Sequence, residues 1–165
     1  MHRILIADPL DASGIEILRA SGAEVYEAVP ADRERLAELL AECDALVVRS
    51  MTKVTADLMR AGRRLKVVGR AGIGVDNVDV EAATQLGILV VNAPTANVLS
   101  AAEHTFAMLL ALARKVPAAD AAMKREVWDR KSFLGSELQG KTLGIVGFGR
   151  IGQRVALRAR ALEMK

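Results

Sequence analysis

The residues with the clearest chemical potential form a glycine-rich turn between an apolar segment and a helical one. Residues 147–152 read G-F-G-R-I-G, a G-x-G-x-x-G pattern, and they follow the apolar run 142–146. A short apolar run rich in β-formers is typical of a strand buried on both faces, and residues 150–163 predict a helix. Strand, glycine turn and helix in this order indicate a dinucleotide-binding turn, whereas the glycine pattern alone would be a weak signal.

Each glycine of this turn has its own predicted task. Gly147 permits the tight turn, Gly149 lets the backbone approach a pyrophosphate, and Gly152 lets the helix pack closely on the strand. The unpaired amides at the N-terminus of the helix would then face the phosphate charge. We therefore expect residues 147–152 to bind a pyrophosphate.

A second candidate site consists of arginines and glycines that follow predicted strands. Arg49 and Ser50 come after the third predicted strand, and Arg70 comes after the fourth, in the glycine-rich run 69–74 that contains Gly72. Because ligands gather at the carboxyl ends of parallel strands, two arginines at one edge would form a fork-like receptor for a carboxylate or a phosphate. The alternative is a pair of ordinary solvated loop arginines. The glycines favour the receptor, since such a loop lets backbone amides approach a small anion.

Three further residues have simpler interpretations. Asn97 either contacts a ligand or only marks the entry to a helix. His104 lies on an apolar helix, which favours an interior histidine over a catalytic one. Cys43 is the single cysteine of the sequence, so a disulfide within the chain and a cysteine-based zinc site are both excluded. The two histidines are far apart in sequence, and we expect no metal site.

Five predicted strands and the helices between them position these residues. The strands are expected at 3–7, 23–28, 45–48, 65–68 and 88–91, and the helices at 11–20, 31–42, 55–62 and 79–87. Regular alternation of strand and helix predicts a parallel sheet with helices on both faces.

The pattern changes near residue 97, where we place a domain boundary. An apolar helix is expected at 98–115, with its start fixed by the capping-box pattern of Ser100 and Glu103, and a second helix at about 117–127. Because the first of these helices is apolar nearly all round, it should be buried in an interior or an interface.

Composition favours a cytoplasmic α/β protein. The 165 residues are 52% hydrophobic and 26% charged, as in ordinary folded domains. The net charge of +3 comes from scattered lysines and arginines, which argues against a nucleic-acid partner. The segment 1–8 is too short for a signal peptide, and it reaches an acidic residue too early in the sequence. The apolar helix contains Glu103 and His104, so we expect no membrane span.

Four segments of the sequence resemble the NAD-dependent D-2-hydroxy-acid dehydrogenase family. They are V-V-R-S-M-T-K-V-T from residue 47, L-K-V-V-G-R-A-G-I-G-V-D-N-V-D from residue 65, V-V-N-A-P-T-A-N-V-L-S-A-A-E-H-T from residue 90 and L-Q-G-K-T-L-G-I-V-G-F-G-R-I-G from residue 138. The similarity runs from residue 1 to residue 165. It implies a flavodoxin-like, parallel-sheet substrate lobe at 1–97, incomplete without a C-terminal return of the chain. The beginning of a Rossmann NAD-binding lobe would follow at 98–165.

The resemblance also implies roles for single residues. The positions that match contacts with the substrate or its phosphate are Arg49, Ser50, Arg70 and Asn97, with Gly72 in the same loop as Arg70. The positions that match contacts with NAD are Ile73, Gly147, Gly149, Arg150, Ile151 and Gly152. The catalytic arginine, glutamate and histidine of the family would lie beyond Lys165, and so would the acid that separates NAD from NADP. No catalytic residue is therefore expected in this chain, which alone should be inactive.

The resemblance is closest to family members that oxidise 3-phospho-D-glycerate to 3-phosphohydroxypyruvate at the entry to serine biosynthesis. Arg49 and the segment around it favour a small phosphorylated 2-hydroxy acid as substrate. Glyoxylate or hydroxypyruvate reductases, formate dehydrogenases and NAD-sensing corepressors of the same family are alternatives, as is an inactive fragment that binds a small anion or dimerises. Helix 98–115 and the segment around Trp128 match the family's dimer interface, which implies a homo-oligomer.

Overall fold

The computed structural model describes residues 1–28 and 33–165 and divides the chain into two compact units, Met1–Ala96 and Asn97–Lys165. The first two residues of the helix expected at 31–42 lie outside the described residues.

The first unit is built on a five-stranded parallel sheet. Its strands are β1 (Arg3–Ile6), β2 (Glu24–Glu27), β3 (Ala45–Val48), β4 (Val67–Arg70) and β5 (Leu89–Asn92). They lie in the order β2-β1-β3-β4-β5, and every neighbouring pair is parallel. This is the flavodoxin-like strand order, so the predicted α/β parallel sheet is confirmed.

Four helices connect these strands, and three of them begin at a side-chain cap. The helices are α1 (Ala12–Ala20), α2 (Arg33–Leu40), α3 (Ala56–Ala61) and α4 (Val80–Gln85). Asp11, Thr55 and Asp79 accept hydrogen bonds from first-turn amides of α1, α3 and α4. Such caps satisfy donors that the helix itself leaves unpaired and typically stabilise a helix by about 1 kcal/mol.

The core of the first unit fixes the central strands. Leu5, Leu46 and Val68 are fully buried and pack against helix residues such as Leu40 and Met59. Burying a leucine side chain contributes about 1.5–3 kcal/mol. Since β1, β3 and β4 are held in register by this core, the loops at their carboxyl ends start from fixed points at one edge of the sheet.

The second unit consists mainly of three helices, α5 (Val98–Ala113), α6 (Val116–Met123) and α7 (Arg150–Ala161). Helices α5 and α7 pack together through the buried side chains of Ala102, Phe106, Val155 and Ala159. The alanines allow the helices to approach closely. An ion pair from Arg158 Nη2 to Glu103 Oε1, at 2.9 Å, also joins the two helices.

The strand expected at 142–146 does not form in the described residues, so this prediction was wrong. Leu143 N donates to Lys165 O and Lys165 N donates to Lys141 O, both at 2.8 Å, but the pairing extends no further. Val146 is fully exposed, although we expected burial on both faces. A strand needs a neighbouring strand to accept its backbone hydrogen bonds, and the described part of this unit provides none.

Helix α5 also departs from two expectations. Its N-cap is Asn97, and Ser100 Oγ, already inside the helix, donates to Asn97 O at 3.1 Å. The predicted capping box was therefore wrong. His104 is exposed rather than interior, and Met108 and Leu112 on the same helix are exposed as well. An apolar sequence indicates that a helix can be buried. It does not indicate which face of the helix is buried by other residues of the same chain.

Candidate functional site

The loop after β3 and the end of β4 bring two arginines to the carboxyl edge of the sheet. In the strand register Val48 is paired with Arg70, so Arg49, the next residue along the chain, lies close to the end of β4. Arg70 Nε donates to the carbonyl oxygen of Arg49 at 3.3 Å. Arg49 is exposed at the surface of the unit and Arg70 is half-buried. The Arg49 guanidinium is held separately, since its Nη1 donates to the carbonyl of Pro9 at 3.4 Å. Two arginines at one edge of the sheet can bind the oxygens of a carboxylate or a phosphate.

Gly72 provides the space in which the Arg70 side chain lies. A Cβ atom at Gly72 would be 1.9 Å from Nη1 of Arg70, so no other residue fits while the guanidinium stays there. The amides of Ala71 and Gly72 donate at 2.8 Å to the carbonyls of Val48 and Arg70. These two amides already donate hydrogen bonds within the chain. The prediction that they donate to a bound anion was therefore wrong.

The loop 69–74 is also tied to the end of β5. Ala93 N donates to the carbonyl of Gly72 at 2.9 Å, and Asn92 Nδ2 donates to the carbonyl of Ile73 at 2.6 Å. These bonds hold the two peptide groups that flank Ile73. The half-buried Ile73 thus lies on a fixed loop, as a residue that lines a cofactor requires.

Asp8, which the sequence analysis did not single out, organises the loop that contains Arg49. Its carboxylate is 1% exposed and accepts hydrogen bonds from the amides of Arg49 (2.6 Å), Met51 (3.1 Å) and Thr52 (3.1 Å) and from Thr52 Oγ1 (2.6 Å). Burial acts to raise the pKa of Asp8, but these hydrogen bonds outweigh it and hold the pKa below its ordinary value. The carboxylate is therefore charged at neutral pH.

Asn77 holds the same loop from its carbonyl side. Its Nδ2 donates to the carbonyls of Arg49 (2.8 Å) and Thr52 (2.7 Å).

Both Asp8 and Asn77 had a sequence signal that could have located them. Asp8 follows β1, which neighbours β3, so the rule that placed Arg49 at the carboxyl edge applies to Asp8 too. Asn77 lies in the segment V-D-N-V-D, directly after the glycine-rich loop.

The glycine turn of the second unit has the geometry of an anion-binding helix start. Gly147 has a φ of +93°, which favours glycine. Gly149 is the N-cap of α7, no side chain caps the helix there, and a Cβ atom at Gly149 would meet nothing within 4 Å. The backbone at the start of α7 is thus open to approach, where the helix dipole favours negative charge. The residues present fit a dinucleotide pyrophosphate.

The remaining predicted residues lie at the start of a helix or in a loop. Arg150 and Ile151 are the first two residues of α7, and Ser50 is exposed in the loop after β3. Asn97 is exposed, and its side chain makes no capping hydrogen bond to α5. The roles of these residues in binding stay predictions.

Within residues 1–28 and 33–165, no three histidine, cysteine or acidic side chains come together as a metal site. No helix in the same ranges has the length and apolar character to cross a membrane.

Comparisons with known proteins agree on one family. The family described as D-isomer specific 2-hydroxyacid dehydrogenase, catalytic domain, matches residues 4–152. The D-3-phosphoglycerate dehydrogenase of Rattus norvegicus is 54% identical over 165 residues, which is 100% of this chain and 31% of the rat protein. The chain therefore spans about a third of the length of the curated relatives it matches.

Solved structures of related proteins match over nearly the whole chain. The TT0316 protein of Thermus thermophilus is 36% identical with a TM-score of 0.88, over 99% of this chain and 54% of that one. The NAD⁺-bound 3-phosphoglycerate dehydrogenase of Entamoeba histolytica is 32% identical with a TM-score of 0.80, over 99% of this chain and 52% of that one.

Proposed function

Since the chain belongs to the D-isomer specific 2-hydroxyacid dehydrogenase family, we propose that the protein containing it oxidises 3-phospho-D-glycerate to 3-phosphohydroxypyruvate with NAD, the reaction that begins serine biosynthesis. The observation that carries this proposal is the pair of arginines at the carboxyl edge of the sheet, with Arg70 Nε bonded to the Arg49 carbonyl at 3.3 Å. The 54% identity to a phosphoglycerate dehydrogenase over the whole chain supports the choice of substrate within the family.

In this proposal the first unit binds the substrate's anionic groups. Arg49 and Arg70 donate charge-assisted hydrogen bonds to phosphate or carboxylate oxygens, and the Ser50 hydroxyl adds a neutral donor. Gly72 leaves the space that Arg70 needs. Asn97, an exposed amide at the start of α5, is assigned to the same substrate.

The second unit binds the cofactor in this proposal. The amides of Arg150 and Ile151 at the start of α7 would hold the pyrophosphate, and Gly147, Gly149 and Gly152 give the backbone close access to it. Ile73 of the first unit is assigned to the lining of the cofactor site. When bound, NAD accepts the hydride that leaves carbon 2 of the hydroxy acid. We assign no proton-transfer role to any of these 165 residues, and the exposed His104 matches no catalytic position.

We also propose that the whole protein is a cytoplasmic homo-oligomer that associates through helix α5 and the segment around Trp128. Leu112 and Trp128 are 80% and 76% exposed. Large apolar side chains at this exposure are characteristic of surfaces that a partner covers.

The proposal is tested by measuring NADH formation with the intact protein. We expect kcat/KM for 3-phospho-D-glycerate to exceed that for D-glycerate by at least about a hundredfold, because charge-assisted hydrogen bonds contribute about 1.5–3 kcal/mol each. The 165-residue chain alone is the control and should form no NADH.

Two results would overturn the proposal. A preference for D-lactate, formate or glyoxylate over the phosphorylated substrate would assign the protein to another branch of the family. NADH formation by the 165-residue chain alone would contradict the assignment of the catalytic groups to residues outside it.

A further inference from the structure

Among the described residues of the first unit, two carboxylates are buried, one near the amino ends and one near the carboxyl ends of the strands. Asp44 precedes β3 and is 6% exposed, and its partners are the Arg3 amide at 2.9 Å and Arg64 Nη2 at 3.1 Å. Asp8 follows β1 and is 1% exposed, and its hydrogen-bond donors all belong to residues 49–52. Asp44 thus binds residues from two separate segments of the first unit, whereas Asp8 binds only the loop 49–52.

The bonds to Asp8 fix the direction of that loop. Three of its four amides point inward to one carboxylate, while the residues Arg49 and Ser50 are exposed. A buried carboxylate without hydrogen bonds is strongly unfavourable, so the loop and Asp8 stabilise each other. The loop cannot turn outward without leaving the charge unsatisfied.

We propose that Asp8 is a positioning residue, which holds residues 49–52 so that the Arg49 guanidinium is directed at the anionic group of the substrate. The inference rests on the proposed role of Arg49 in substrate binding. Asp8 itself is too deeply buried to touch the substrate. It acts through the loop backbone.

Asp8→Asn tests this role with little change in volume. The new amide keeps one acceptor oxygen and places an NH2 donor where a carboxylate oxygen accepted from backbone N–H groups. Two donors then face each other, and the loop must shift. Because displacements of about 1 Å can reduce activity by about a hundredfold, we expect KM for 3-phospho-D-glycerate to rise at least about tenfold in the intact protein. The value of kcat should change less than about threefold, since the reacting groups are not displaced.

Matched variants separate positioning from general stability. Asp44→Asn also removes a buried carboxylate, and it should lower the unfolding midpoint while leaving KM unchanged. Thr52→Val removes the Oγ1 donor alone and should raise KM by a smaller factor, about twofold to fivefold. Thr52→Ser keeps the hydroxyl and should restore the wild-type KM.

Amide hydrogen exchange provides a readout that does not depend on the substrate. In Asp8→Asn the amides of residues 49–52 should exchange faster, while those of residues 67–70 on β4 should not. If the wild-type protein does not oxidise 3-phospho-D-glycerate, the proposed function fails. Asp8 is then judged by exchange and by KM for whichever 2-hydroxy acid the protein does oxidise.

The inference is overturned if Asp8→Asn shows wild-type KM and wild-type exchange at residues 49–52. An equal rise of KM in Asp44→Asn would also overturn it, because the effect would then be general. Should Asp8→Asn fail to fold, Thr52→Val decides: an unchanged KM in that variant contradicts the role of Asp8.

Discussion

The two glycine-rich loops of this chain make room for different groups. In the first unit, a Cβ atom at Gly72 would lie 1.9 Å from Nη1 of Arg70, so the glycine leaves space for a cationic side chain. In the second unit, a Cβ atom at Gly152 would lie 2.3 Å from the carbonyl oxygen of Gly147, so the glycine leaves space for backbone. The first loop positions the Arg70 guanidinium at the end of a strand. The second loop forms a tight turn that packs against the start of a helix. Similar glycine content therefore does not mean similar binding.

The difference predicts how each loop responds when a methyl group is added. A guanidinium can swing away from a new Cβ at the expense of its own contacts, but a carbonyl group moves only if the chain around it moves. Alanine at residue 152 should therefore damage the fold, and alanine at residue 72 should damage binding.

The largest effect is expected for Gly152→Ala. Its Cβ would meet the Gly147 carbonyl oxygen at 2.3 Å and Ile145 Cγ2 at 3.4 Å, so both the turn and the start of α7 must shift. We expect the free energy of unfolding to fall by about 2–3 kcal/mol in urea titrations. In the intact protein, NAD affinity should fall at least about tenfold by fluorescence titration, since the amides at the helix start are displaced.

Gly144→Ala is the matched control for this prediction. Gly144 lies in the same segment, and a Cβ there would meet nothing within 4 Å. Its unfolding free energy should change by less than about 0.5 kcal/mol. Equal losses in Gly144→Ala and Gly152→Ala would mean that the segment tolerates no side chains at all, and the steric explanation for Gly152 would be wrong.

The sequence predicted the sheet and the arginine pair because both follow from local signals. Apolar runs such as 45–48 mark strands without reference to the rest of the chain. Parallel order then brings the loops after β3 and β4 to one edge, which is why Arg49 and Arg70 could be predicted as neighbours. The family followed from motifs, and the comparison with the family agrees.

Features that depend on distant neighbours could not be predicted in the same way. Residues 142–146 have the composition of a strand but lack a strand beside them in the described unit, so composition alone misled. The carboxyl-edge rule could have located Asp8, but its role as an acceptor for the loop could not be predicted, because its four donors are more than 40 positions away. His104 shows that an apolar helix does not indicate which face is covered.

An intermediate effect is expected for Gly72→Ala. The added Cβ displaces the Arg70 guanidinium from its place beside the Arg49 carbonyl, where Nε donates at 3.3 Å. We expect KM for 3-phospho-D-glycerate to rise about tenfold with a small change in stability, because the loop backbone keeps its bonds to β5. Arg70→Lys should give a similar rise, since lysine lacks the planar fork. A large loss of stability with normal KM would make Gly72 equivalent to Gly152 and break the comparison.

The smallest effect is expected for Gly74→Ala, at the end of the same loop. Its Cβ would meet Asp76 Oδ1 at 2.9 Å, which is the far end of an exposed side chain that can rotate away. Neither the Arg70 guanidinium nor a backbone carbonyl opposes it, so KM should change less than about twofold and the unfolding free energy less than about 0.5 kcal/mol. Steady-state kinetics and urea titration on one preparation measure both. If Gly74→Ala raised KM as much as Gly72→Ala, the loop would act through its backbone as a whole, and the Arg70 side chain would no longer explain why glycine is needed at residue 72.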